Sequence, residues 1–281
     1  MKADFFYQTA PGRAAFQALQ KAGAFRLAAW FLHTRVSKCM IPGYVRRNGI
    51  DMTPFAGQSY GSYAAFFSRR RNDGVTWERD PDALISPCDG LLSVYDVTED
   101  LTIPMKGSHY TIGDLVPEPR VAEQFQNGLC LVFRLEASDY HHFCCFDDCR
   151  LTETHAIPGQ LHSVQPIALR TVPVFRLNRR WWSALETDHF GTAVQVEVGA
   201  MAVGGVSLSG AGERLRRGEE MGCFTLAGST VLLLLNESVR RRLRFRESLL
   251  PCVGGQEEVR VRMGDALGTL EGPDFTAFAI E

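Results

Sequence analysis

Ser229 sits where a hydroxyl could turn on its own chain. The stretch Met221-Gly222-Cys223-Phe224-Thr225-Leu226-Ala227-Gly228-Ser229-Thr230 runs into five aliphatic residues, Val231–Leu235. A Gly-Ser-Thr step between two apolar runs reads as a tight turn joining buried strands, with glycine free in φ and ψ. Held there, the Ser229 hydroxyl could attack the preceding carbonyl, where the small Gly228 leaves room. The same three residues also make an ordinary hairpin turn, so the step has to be weighed with other reactive groups. Ser86-Pro87-Cys88-Asp89-Gly90 puts the Asp89 carboxylate in a turn at the head of a strand, which by itself is ordinary turn chemistry. The densest cluster is Ser138-Asp139-Tyr140-His141-His142-Phe143-Cys144-Cys145-Phe146-Asp147-Asp148-Cys149. Its ligand types invite a metal, but the pairs are sequence neighbours, no CxxC occurs, and no second cluster follows at a usual spacing. No metal is expected. Histidine titrates near neutrality, so general acid–base work is the better reading of this cluster. A further imidazole, His162, lies in Ile157-Pro158-Gly159-Gln160-Leu161-His162-Ser163-Val164. No P-loop, dinucleotide-binding glycine pattern or nucleophile elbow is present.

The elements that must hold these groups fall into two parts. At 281 residues, 45% of them apolar and 22% charged, the chain can bury a sizeable core. A net charge of −2 gives no general attraction to nucleic acid, and none is expected as a partner. Charge is uneven, however: the first fifty residues carry eight Lys or Arg against the single Asp4. That segment, 1–50, reads as helical between breaks at Pro11-Gly12 and Pro42-Gly43. Phe25, Ala28, Leu32, Val36 and Met40 recur at helical spacing. Such a helix could lie in a lipid interface with its basic residues on anionic head groups, or pack on the domain behind it. Eight cysteines and no recognisable secretory leader point to a reducing compartment. No apolar run approaches the roughly 20 residues that span a bilayer.

From 51 to about 80 loops dominate, with a short helix near 59–71. Beyond Pro81, short runs rich in Val, Leu, Ile and Phe recur between Gly and Pro: 91–97, 129–135, 151–157, 174–177, 181–187, 193–198, 224–226, 231–235 and 259–263. Their spacing predicts an antiparallel β domain, with a hairpin at Asn178-Arg179-Arg180. The expected class is α+β: a mainly antiparallel β catalytic domain over 51–281 and a helical N-terminal segment.

In order along the chain, these stretches resemble the phosphatidylserine decarboxylase family. The resemblance is carried by Phe66-Phe67-Ser68-Arg69, SPCDG at 86–90, Lys106-Gly107, DYHHFC at 139–144, IPGQLHSV at 157–164, FGTAVQVEVGAMAVGG at 190–205, RGEEMGCF at 217–224 and AGST at 227–230. It implies a proenzyme that cuts itself between Gly228 and Ser229, leaving a β chain of 1–228 and an α chain of 229–281 as an α/β heterodimer, which could associate further. Ser229 Oγ would form an ester with Gly228. Elimination and loss of ammonia would then leave a pyruvoyl group, the family's covalent pyruvate cofactor. Its carbonyl would form a Schiff base with phosphatidylserine, release carbon dioxide and yield phosphatidylethanolamine.

Asp89 corresponds to the family's carboxylate, and His141 to the first histidine of its Tyr-His-Arg-x-His pattern. The second histidine, the usual triad base, is here Cys144, and the arginine is His142. A bacterial group with a Tyr-His-Arg-Tyr-Cys form carries a histidine later, where His162 stands. His162 is therefore the expected processing base, with His141 behind it and Cys144 as a further alternative. Lys106, His109 and the glycine-rich 199–205 segment are candidates for substrate contact. The resemblance implies a peripheral protein on the cytoplasmic face of an anionic phospholipid membrane. Other readings are a pyruvoyl enzyme acting on another serine phospholipid or an amino acid, and an uncut chain that only binds lipid.

Overall fold

The computed structural model describes residues 3–105, 108–200, 205–208, 212, 214–226 and 229–272. A run such as Val231-Leu232-Leu233-Leu234-Leu235 offers no polar face, so it is stable as a strand only where both sides are covered. It forms most of the strand Ser229–Leu235, all seven residues of which are buried. This strand lies inside an eight-stranded antiparallel sheet. The order is Arg214–Leu215, Cys149–Ile157, Arg180–Thr187, Thr192–Gly199, Ser229–Leu235, Leu129–Leu135, Gly90–Asp96, Val259–Val261.

Alternation along the central strand feeds two cores. Val231, Leu233 and Leu235 join Leu92, Phe133, Leu135, Phe143 and Phe224. Leu232 and Leu234 join Val132, Val196, Val198 and Trp182 on the other face. Each fully buried Leu or Val contributes roughly 1.5–3 kcal/mol. Two three-stranded sheets supply partners on the first face: Ala83–Ile85, Ala266–Leu270 and Leu243–Phe245, and Val206–Leu208, Glu220–Phe224 and His142–Cys144. Short helical turns that include Leu115, Leu169 and Phe175 cover the second.

The N-terminal segment is helical: α1 (Ala3–Gln8), α2 (Ala10–Lys21), α3 (Ala24–His33) and α4 (Ile41–Asn48), with a 3-10 turn over Arg35–Met40. Pro11 and Pro42 stand in the first turns of α2 and α4, where a missing N–H costs nothing. They begin helices instead of breaking one. Thr9 caps α2, its side chain accepting from Gly12 N at 3.0 Å. Buried Tyr7 joins the second core, and its hydroxyl accepts a hydrogen bond from Ser163 N. The expected apolar stripe is cut short at His33, so Val36 and Met40 fall on the 3-10 turn and stand exposed. No helix among the described residues is long and apolar enough to cross a membrane.

Other expectations differ from the structure: of the run at 224–226 only Phe224 lies in a strand, Glu220–Phe224. Val174–Leu177 is a helical turn, not a strand, because Pro173 opens it and Leu177 N and Asn178 N bond back to Pro173 O and Val174 O. The hairpin at 178–180 is therefore absent. Asn178 instead ties two segments together, its Nδ2 donating to His162 O at 2.8 Å and Gly199 O at 2.7 Å. The short helix expected over 59–71 is α5 (Tyr63–Phe67), capped by Ser62.

Candidate active site

Ser229 is not in a turn. It opens the central strand, opposite Leu135 on one side and Gly199 on the other. Strand alternation gives its hydroxyl the face of Leu135 and Val231. There Oγ is fully buried and has no hydrogen-bond partner among the described residues. A buried polar atom without a partner costs about 1–3 kcal/mol, so its presence at this position calls for a chemical reason. Gly228, the other half of the expected cleavage step, lies outside the described residues, as do Lys106 and 201–204.

Asp89 is held as a brace. Its two oxygens accept from Tyr140 N at 3.1 Å and Met263 N at 2.9 Å. That fixes the start of the histidine segment against the turn after Val259–Val261. Neither His141 nor His162 has its ring nitrogens bonded to this carboxylate.

His141 is buried against Phe67, with ring centroids 4.1 Å apart. Its Nδ1 lies 2.9 Å from Asp139 O. A carbonyl only accepts, so Nδ1 carries the proton and Nε2 presents a lone pair. Nε2 is buried and unpartnered among the described residues. Burial, with the Arg69 guanidinium adding to it, pushes the imidazole down to about 3, so the ring is neutral at physiological pH. His141 O accepts from Phe224 N, which places the residue on the same side of the main sheet as Ser229 Oγ.

His162 stands on the other side. Its ring stacks on Phe16 of α2 at 5.0 Å, and its Nε2 is 2.7 Å from Gln160 Oε1. Nδ1 is buried without a partner, and burial lowers the ring's pKa. Through Asn178 its backbone is nevertheless linked to Gly199, the residue directly across from Ser229.

Residues 63–269 match the family model described as phosphatidylserine decarboxylase. The chain is 33% identical over 266 residues to "Phosphatidylserine decarboxylase proenzyme 2" of Clostridium acetobutylicum, covering 94% of this chain and 90% of that relative. It is 34% identical to a phosphatidylserine decarboxylase proenzyme of Clostridium kluyveri, over 86% and 83% of the two chains. A proenzyme of the same name from Desulfitobacterium hafniense is 35% identical over 74% and 72%. The chain belongs to the phosphatidylserine decarboxylase family. Ser229, Asp89, His141 and His162 all fall inside the matched span, and α1–α4 precede it.

Cys144, which the sequence of this phosphatidylserine decarboxylase family member suggested as the counterpart of a second histidine, lies on the strand His142–Cys144. It is buried, its N donates to Pro87 O at 2.8 Å, and burial pushes its thiol up to about 12. It is a thiol, not a thiolate, at neutral pH. Beside it opens a cavity of about 210 Å³ lined by Arg70, Arg71, Tyr140, His142, Cys144 and Glu220, among others. His142 stacks on Tyr140 at 4.5 Å, with Nδ1 3.1 Å from Glu220 Oε2 and Nε2 3.2 Å from Ser68 O.

One buried carboxyl group was not among the expected site residues. Glu197 lies mid-strand in Thr192–Gly199, fully buried, opposite Val231 on one side and Trp181 on the other. It belongs to the 190–205 stretch, where its mark is a charge inside a run that otherwise reads as core.

Proposed function

We propose that this chain is a self-processing phosphatidylserine decarboxylase, cut between Gly228 and Ser229 and working as an α/β heterodimer on phosphatidylserine. The observation that carries the reading is the Ser229 hydroxyl, buried and unpartnered at the head of the central strand of a chain from this family. The residues fit a cofactor made in place: a small group at position 229 is walled by two strands, with a glycine as one cross-strand neighbour. A pyruvoyl group there would supply the electron sink for breaking the carboxylate's carbon–carbon bond. His141 presents a buried lone pair on the same face, and we assign it proton handling during decarboxylation. Asp89 holds the segment that carries His141.

Maturation takes two protons from residue 229, one from oxygen and one from the α carbon. We assign His162 to processing as the base for the second proton, because its ring lies on the face away from Oγ while Asn178 joins its backbone to Gly199. Membrane association is part of the same proposal. Leu27, Trp30 and Val36 are 66%, 67% and 68% exposed on a segment rich in Arg and Lys, a surface suited to an anionic lipid interface on the cytoplasmic side.

The test is a denaturing gel with mass measurement of the small fragment. Wild type is expected as chains of 228 and 53 residues, the latter beginning in a keto acid, and Ser229→Ala as one chain of 281. A wild-type chain that stays whole overturns the proposal in favour of an uncut lipid-binding protein.

A further inference from the structure

Glu197 and Ser229 are two buried, unsatisfied polar groups on one face of one sheet. In the ladder Ser229 pairs with Gly199 and Val231 with Glu197, so the two side chains project to the same side. Diagonal neighbours of this kind stand ~7–8 Å apart at the backbone, within reach of a long side chain. Gly199, directly across from Ser229, puts no side chain between them.

Glu197 Oε1 accepts from Gln195 Nε2 at 2.9 Å, whereas Oε2 is buried and has no partner among the described residues. The groups facing this carboxyl are Gln195 on its own strand, Val231 and Trp181 across the ladder, and the Cys88 thiol, on which its charge acts. Cys88 itself is buried and held far above the usual thiol range. No cation is among them. The histidines are worse placed to take a proton from oxygen: His162 is on the other face, and His141 lacks the carboxylate that steadies the imidazolium in a triad.

We propose that Glu197 accepts the hydroxyl proton of Ser229 during self-cleavage, which makes it a catalytic residue of maturation. The inference rests on the processing reading above. As Oγ bonds to the carbonyl carbon of Gly228, its proton passes to Glu197 Oε2. As the carbon–nitrogen bond to residue 229 breaks, that proton returns to the nitrogen. The products are an ester and an amine, an isomer of the starting chain, so no outside reagent is needed. Burial pushes the Glu197 carboxyl up to about 8, which matches a base that works near neutral pH.

The experiment follows cutting of freshly synthesised full-length chain on denaturing gels between pH 6 and 9, with and without hydroxylamine, which splits esters. Wild-type cutting is expected to accelerate as pH rises through about 8, where the carboxylate form takes over. Glu197→Gln should be cut at least tenfold more slowly, and its uncut chain should resist hydroxylamine, because no ester has formed. Glu197→Asp should keep part of the rate and the pH dependence. By contrast, uncut His162→Ala should be split by hydroxylamine, its block lying after the ester. The proposal is overturned if Glu197→Gln is cut at the wild-type rate or stalls as a hydroxylamine-labile ester. A flat wild-type pH profile overturns it too, independently of how any variant folds. If wild type is never cut, it is the processing reading that fails.

Discussion

Two buried titratable side chains tilt the stability of the molecule in opposite directions. Glu197, raised to about 8, binds more protons folded than unfolded between its ordinary carboxyl value and pH 8. Its contribution is therefore full in acid and is lost as pH climbs toward 8. His141, lowered to about 3, binds fewer protons folded than unfolded. Its contribution is full above pH 6.5 and disappears as pH falls toward 3. Melting curves across pH should show wild type weakening from pH 6 to 8 and Glu197→Gln weakening less over that interval. Asp89→Ala removes the acceptor of two backbone N–H groups. It is expected to cost on the order of 1–3 kcal/mol by denaturant titration and to slow maturation by loosening the His141 segment. The sequence showed Ser229, Asp89, His141 and His162 as motif members because each belongs to a run with distinctive neighbours. Glu197 lies inside the 190–205 stretch too, but nothing in the linear chain marks it as chemical, because its meaning comes from a strand register that places it beside Ser229.

At the level of elements, the apolar runs were a good guide where they were long. Leu129–Leu135 and Val231–Leu235 were expected as strands and are strands buried throughout, and the run at 181–187 lies in the strand Arg180–Thr187, buried up to Leu185. The four-residue run at 174–177 was too short to carry a period, and the proline before it decided the outcome. The Gly-Ser-Thr step misleads in another way: glycine suggests a turn, yet Ser229 and Thr230 are ladder residues. Leu233 lies at the centre of that ladder, fully buried. Leu233→Ala should cost about 2–5 kcal/mol, read from denaturant midpoints. Since the same strand begins at the proposed cleavage step, self-cutting should slow as well.

On the scale of the whole molecule, the basic, aromatic N-terminal segment had two readings, a lipid-facing helix or a packed one; some of its residues pack inward, and others stand exposed, where the proposed lipid contact would lie. Tyr7 and Phe16 are buried inward, the latter against the His162 ring, while Leu27, Trp30 and Val36 face outward. Periodicity could not separate these roles because the segment is four short helices with different neighbours. Replacing Leu27, Trp30 and Val36 together with Ser is expected to reduce sedimentation with phosphatidylserine-containing vesicles several-fold while leaving chain cutting intact. Equal sedimentation of the two proteins would show that the lipid contact lies elsewhere.

The antiparallel ladder has a further consequence for a chain cut before Ser229. The last 53 residues provide the Ser229–Leu235 strand clasped between two others, the Val259–Val261 edge against Gly90–Asp96, and the Ala266–Leu270 strand against Ala83–Ile85. Arg260 holds Asp139, and Glu258 holds Arg134, across the same divide. A severed peptide would thus remain woven into its parent like a thread in cloth. Under native conditions the nicked particle should keep the hydrodynamic size of the intact one, and dilution alone should never release the fragment.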